Sequence, residues 1–176
     1  ITMKLSNLIK MAAVAAALTL GGSPLAGSES RSDWKAHWIT PSLSQSATNT
    51  WISYRKEFKV SECPDRLVAR ISADSKYWMW INGELAVFEG GLKRGPFPNG
   101  TYYDKVDIAP FLKEGDNTIA ILLWHFGKQG FSHNSSGQAA LIFEAVSPGL
   151  EILSDQSGVC ALNPAYGSTD APHPNY

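Results

Sequence analysis

Lys76-Tyr77-Trp78-Met79-Trp80-Ile81-Asn82-Gly83-Glu84-Leu85 is an aromatic strand that runs into a two-residue Asn-Gly connection. A type I′ hairpin turn needs φ > 0 at both central positions, which Asn and Gly tolerate. The segment therefore predicts strands over Tyr77–Ile81 and Glu84–Phe88 joined at Asn82-Gly83. Further on, two strands flank one tight turn. In Tyr102–Ile108, Tyr102, Asp104 and Val106 alternate against Tyr103, Lys105 and Asp107. Ala109-Pro110-Phe111-Leu112 reads as one helical turn with Pro near its start, and Gly115 can stop it in a left-handed conformation. Thr118–Phe126 is the most apolar strand and belongs at the centre of a sheet.

Working outward, Trp51–Val60 is a strand with partial alternation, Pro64 and Asp65 turn the chain, and Arg66–Ala73 sets Leu67, Ala69 and Ile71 against Arg70 and Ser72. Glu89–Thr101, with four Gly and two Pro, is a long loop. Gly127–Gly137 is a second, polar loop, and Gln138–Val146 is the last strand expected of the domain. Short strands separated by turn signals, with no long amphipathic helix, specify an all-β sandwich. From Ser147 the character changes. Leu150–Leu153 is a short apolar piece, and no strand of useful length is expected after it.

The 176 residues allow one domain with a real core, since a domain near 150 residues buries roughly 70% of its unfolded surface. Composition is ordinary at 44% hydrophobic and 18% charged, with an aromatic excess of 11% that includes six Trp. Such rings fill sandwich cores and also stack on sugars. Fifteen basic against 16 acidic residues leave a net charge of −1 and no basic patch, which argues against a nucleic-acid partner.

The N-terminus has the layout of a secretory leader. Lys4 and Lys10 precede the apolar run Met11–Leu20, followed by the small residues Gly21, Gly22, Ser23 and Ala26. The run is too short to cross a bilayer of about 30 Å as a helix. Met3 reads as the start and Ile1-Thr2 as upstream sequence. The expected order is a signal peptide over 1–26, a linker with an aromatic lead-in (Trp34, His37, Trp38) over 27–50, the sandwich over 51–147, and a linker or the start of another domain over 148–176. The expected location is periplasmic or extracellular, with no membrane attachment after cleavage. Export permits a disulfide, but Cys63 beside Pro64 and Cys160 in the tail are two isolated cysteines and not a framework. The sequons Asn99-Gly100-Thr101 and Asn134-Ser135-Ser136 are not expected to carry glycans behind a bacterial leader.

Several segments together resemble the N-terminal region of secreted bacterial α-L-rhamnosidases. They are Tyr77-Trp78-Met79-Trp80-Ile81-Asn82-Gly83, Arg94-Gly95-Pro96, Thr101-Tyr102-Tyr103-Asp104, Gly115-Asp116-Asn117-Thr118-Ile119-Ala120, Trp124-His125-Phe126-Gly127-Lys128 and Gly130-Phe131-Ser132-His133. The resemblance spans about Trp34 to Tyr176. The Asn-Gly hairpin and the Gly-Asp-Asn-Thr-Ile core recur in galactose-binding-like jelly-roll sandwiches on many glycosidases. The Tyr-Tyr-Asp and Trp-His-Phe-Gly segments point to the rhamnosidase group. The resemblance implies a sandwich module whose partner is a downstream (α/α) barrel of the same polypeptide, where the catalytic carboxylates lie. A free-standing secreted carbohydrate-binding protein and the sandwich of a glycosidase acting on another sugar are the alternatives.

Glycoside hydrolysis requires two carboxyl groups flanking the bond, roughly 5–9.5 Å apart. Asp104 and Asp107 fall on opposite faces of one strand, and Asp107 is expected to satisfy backbone groups at the turn that follows. No catalytic residue is therefore assigned. For contact with a plant or bacterial glycan, the loop residues Arg94, Tyr103, Asp104, Trp124, His125, Phe131 and His133 combine aromatic platforms with hydrogen-bonding groups. Packing of the same loops on another domain is the competing reading. Trp78 and Trp80 on one strand face, with Tyr77, Met79 and Ile81 on the other, read as packing before sugar binding. No cofactor is expected, and no metal beyond calcium, for which Asp74 and Asp104 are the only candidates.

Overall fold

The structure, a computed structural model, describes residues 34–41, 48–91, 101–130 and 133–166. The expected leader lies outside them. The strands are β1 (Thr50–Val60), β2 (Val68–Ala73), β3 (Lys76–Ile81), β4 (Glu84–Gly91), β5 (Asp104–Asp107), β6 (Gly115–His125), β7 (Leu141–Ser147), β8 (Leu150–Leu153) and β9 (Val159–Leu162). One 3₁₀ turn, Ala109–Phe111, occupies the place of the expected helical turn. Five strands form a sheet in the order β4-β3-β6-β1-β9 and four form a second in the order β5-β2-β7-β8. All pairings are antiparallel. The chain alternates between the two layers, which makes an all-β jelly-roll sandwich.

Period-2 alternation decides which side chains meet between the sheets. Ile52 and Tyr54 of β1, Tyr77, Met79 and Ile81 of β3, and Ile119, Ile121 and Leu123 of β6 point inward. They pack on Ala69 and Ile71 of β2 and on Leu141, Phe143 and Ala145 of β7. The longest ladder, β1 with β6, runs from Thr50 opposite His125 to Val60 opposite Gly115.

The hairpin forms where expected, with Asn82 at φ 52° and Gly83 at φ 87°. Asn82 also ties the hairpin to the turn before β6. Its Nδ2 donates to the Phe111 carbonyl (2.8 Å) and to Asn117 Oδ1 (2.8 Å), and its Oδ1 accepts the Thr118 amide at 3.0 Å. The buried Asn117 closes that turn through Lys113 and Gly115. Asp107 Oδ1 accepts the Leu67 and Ala109 amides, the structural role expected of it.

Two expectations need correcting after Ser147. Leu150–Leu153 pairs with β7, and Val159–Leu162, where no strand was expected, extends the larger sheet along the edge of β1. The paired structure thus runs to Leu162, past the Ser147 boundary. Two features anchor this return. Gly158 lies flush against Tyr54, where a Cβ would come within 2.6 Å of the ring. The buried Lys56 ammonium donates to the Leu153 carbonyl (2.6 Å), Asp155 Oδ1 (2.8 Å) and Ser157 Oγ (2.8 Å). Burial alone would raise the Asp155 carboxyl, but hydrogen bonds from Lys56 and Ser157 hold it down at about 2. Cys63 and Cys160 are free thiols, and burial pushes that of Cys160 up to about 11.

A Cβ at Gly83 would meet nothing within 4 Å, so any cost of a side chain there is backbone strain alone. Gly83→Val should destabilise by about 1–3 kcal/mol, because a β-branched residue is held at positive φ. Urea unfolding of the two proteins measures the difference, and equal midpoints would contradict the turn.

Candidate functional site

The densest polar constellation is built on Asp74, in the two-residue connection between β2 and β3, and it lies buried. Its Oδ1 accepts from Ser75 Oγ (2.9 Å), His133 Nε2 (3.1 Å) and Ser135 Oγ (3.3 Å). Its Oδ2 accepts from Ser136 Oγ (2.6 Å), Ser135 Oγ (3.3 Å) and the Ser136 amide. His125 Nδ1 lies 3.1 Å from the Asp74 carbonyl oxygen and 3.3 Å from Oδ1. Both atoms are acceptors, so Nδ1 carries the proton. Each imidazole thus spends an N–H on one aspartate. The other nitrogens, His125 Nε2 and His133 Nδ1, are buried without a partner among the described residues. Burial alone would raise the Asp74 carboxyl. The hydrogen bonds from His125, His133 and Ser136 outweigh it and hold the group well below the usual carboxylate range.

A second cluster lies on the outside of the four-stranded sheet. The Arg70 guanidinium sits 4.5 Å from the Trp34 ring and 5.9 Å from that of Tyr103, and it is ion-paired with the buried Glu144. The other Glu144 oxygen accepts the Lys35 and Ala36 amides, which fastens the lead-in segment to the sheet. Nearby, Asp104 Oδ2 accepts from Tyr77 Oη and the Gly91 amide, both at 3.0 Å, and joins β5 to β3 and β4. Burial, reinforced by the charge and hydrogen bond of Asp104, drives the Tyr77 phenol upward.

On the outside of the five-stranded sheet, Trp51 stacks with Trp124 (4.8 Å), Tyr166 (4.3 Å) and Trp78 (5.8 Å). Trp124 and Trp78 come from β6 and β3, on one side of β1, and Tyr166 follows β9 on the other. Trp124 Nε1 donates to Asn49 Oδ1 at 2.7 Å.

No family model and no curated protein matches the sequence. Solved structures do. A family 78 glycoside hydrolase, the rhamnosidase of Bacillus sp. GL1, superposes with a TM-score of 0.65 at 30% identity, over 73% of this chain and 13% of the enzyme. This chain has the sandwich of α-L-rhamnosidases. The α-L-rhamnosidases of Dictyoglumus thermophilum (TM-score 0.57, 22% identity, 76% of this chain and 17% of theirs) and Aspergillus terreus (0.61, 21%, 74% and 17%) share its fold. The match therefore spans only about a seventh of the length of these enzymes.

Against that background, the residues singled out from the sequence separate into several places. Arg94 and Phe131 lie outside the described residues. Trp124 and His125 are neighbours on β6 and so point to opposite sides, Trp124 into the outer aromatic row and His125 inward to Asp74. His133 joins His125 on Asp74, Tyr103 belongs to the Arg70 cluster, and Asp104 braces β5. Of the two calcium candidates, Asp74 is ringed by hydrogen donors, and Asp104 is in a different cluster. Among the described residues no three His, Cys, Asp or Glu side chains converge as metal ligands. Ser75, Ser135 and Ser136 were missed because Ser in a polar loop carries no signal of its own. Glu144 had one, as a lone carboxylate within an otherwise apolar strand. Among the described residues the carboxyls whose titration is displaced, Asp74, Glu144 and Asp155, all move down, away from what a glycosidase acid requires.

Asp74→Asn would place an amide donor among donors in either flip state. It should cost roughly 2–4 kcal/mol at neutral pH. Because the folded carboxyl lies below the unfolded value of about 3.9, its contribution is complete above that pH and is lost as pH falls below it toward the folded value. Urea melts of both proteins from pH 7 to pH 3 should show the gap narrowing below about pH 4; a gap independent of pH would contradict an ionised Asp74.

Proposed function

We propose that this chain is a non-catalytic accessory sandwich of an exported α-L-rhamnosidase-type glycoside hydrolase and supports a catalytic domain further along the same polypeptide. The similarity to the Bacillus enzyme, 30% identity across 73% of this chain, carries the reading. Its sandwich is a small fraction of a long enzyme, and the same proportion fits a module that braces chemistry done elsewhere. The side chains agree with such a role. Asp74, Asp104, Asp107 and Glu144 are each taken up by donors that stitch strands and loops, so none is left opposite another across an open cleft. The leader-like residues 1–26 support export to the periplasm or beyond. In this reading the glycan is held chiefly by the catalytic domain.

The purified 176-residue chain should release no phenol from an aryl α-L-rhamnoside above the buffer rate. Turnover that vanishes on Asp104→Asn or Asp107→Asn would overturn the assignment.

A further inference from the structure

A sandwich sheet with one side in water alternates polar residues outward. The five-stranded sheet does so along β1 past Trp51, with Ser53, Arg55, Glu57 and Lys59, but not over β3, β4 and the end of β6. Its outer side carries Trp80 opposite Leu85 and Ala120, and Trp78 opposite Leu122. Leu85 is 46% exposed. Phe88, which follows the inward-paired Val87 and so points out, is 69% exposed. Trp51 and Tyr166 continue the apolar surface across β1. Exposed charge gathers at the far end of β1 and the start of β6, in the pairs Arg55–Glu57 and Lys59–Asp116; at the opposite margin the buried Lys76 ammonium lies 5.8 Å from the Trp78 ring and is neutralised by Glu89 at 3.0 Å. An apolar centre with a charged rim is the composition of an interface. It suits protein better than sugar, because Trp51 has rings stacked from both sides and a sugar needs an open ring face.

The two outer sides also differ in what the chain itself supplies. The four-stranded sheet carries part of the lead-in segment on its outer side, where Trp34 lies on Arg70 and the Lys35 and Ala36 amides bind Glu144, before Ile39 pairs with Leu141 at the sheet. Among the described residues no segment plays that part over Trp80, Leu85 and Phe88. Tyr166, which follows β9, lies on Trp51 on this side. In the Bacillus enzyme, 87% of the polypeptide lies outside the matched part (100 − 13).

We propose that the outer side of the five-stranded sheet is the seat of the domain that follows in the same polypeptide, which meets it with an apolar, uncharged surface. The inference rests on the accessory-module reading. Hydroxyl-radical footprinting tests it on two proteins: the 176-residue chain, and a chimera in which residues 34–166 replace the matched part of the Bacillus sp. GL1 rhamnosidase. Trp80, Leu85 and Phe88 should oxidise in the isolated chain and be protected several-fold in the chimera, while Val146 on the other sheet changes little. Equal oxidation in an active chimera overturns the seat. Protection in the isolated chain that rises with concentration and sedimentation as a dimer also overturns it, in favour of a second copy. A chimera that protects the three residues but lacks rhamnosidase activity upholds the seat and counts against the accessory role. Should the chimera not fold, the isolated chain decides: it should bind bis-ANS, and Leu85→Glu with Phe88→Glu should abolish that binding. No dye binding by the unmodified chain overturns the proposal.

Discussion

The register between β1 and β6 is the constraint on which everything else hangs. Eleven consecutive pairs, Thr50–His125 to Val60–Gly115, lock the two longest strands together. Side chains alternate, so a slip of one residue would exchange the two sides of both strands. In the observed register Ile52, Tyr54, Ile119, Ile121 and Leu123 fill the core. The same register sends His125 inward to Asp74 and Trp124 outward to Trp51. The buried polar cluster and the apolar outer side are therefore two consequences of one pairing.

Opposing terms meet at Asp74. Burying a carboxylate costs several kcal/mol unless donors replace its water. Here they come from two loop serines, the adjacent Ser75 and two imidazoles. The result is a knot between the β2–β3 connection, the end of β6 and the loop at 133–136. Arg70 with Glu144 does the same for the lead-in segment, and Lys56 with Asp155 for the return to β9. Each of the three ties a peripheral segment to the sheets through a buried charge and its partners. Placed there, a charge fixes geometry, because it has few alternative partners.

The parts read correctly from sequence were those with local causes. Asn82-Gly83 makes its turn because of φ preferences within two residues, and β6 declares itself by its unbroken apolar run from Ile119 to Trp124. Asp107 was legible as a turn acceptor for the same reason. β9 was not. Val159-Cys160-Ala161-Leu162 shows no alternation, and its strand geometry is imposed by the free edge of β1. The carbohydrate shortlist gathered residues by chemical type from both long loops. The fold then distributes those described, because Trp124 and His125 are adjacent on a strand and cannot share a side. Asp74 entered only as a cation candidate. Its true neighbours lie about sixty positions away, at Ser135 and Ser136, and no local pattern links them.

The two outer sides show how one sheet architecture can be finished in different ways. Over part of the four-stranded sheet the chain supplies its own cover, with Trp34 on Arg70 and amides on Glu144. Over the five-stranded sheet it supplies rings that stack on one another. Aromatic pairs contribute about 0.5–1.5 kcal/mol beyond area burial, so the row from Trp78 to Tyr166 stiffens the sheet without covering it. Rings already stacked on one another lose little conformational freedom when another surface is laid on them. A surface meant only for water would gain nothing from that order. The stacked row and the exposure of Leu85 and Phe88 beside it are together what the proposed seat requires.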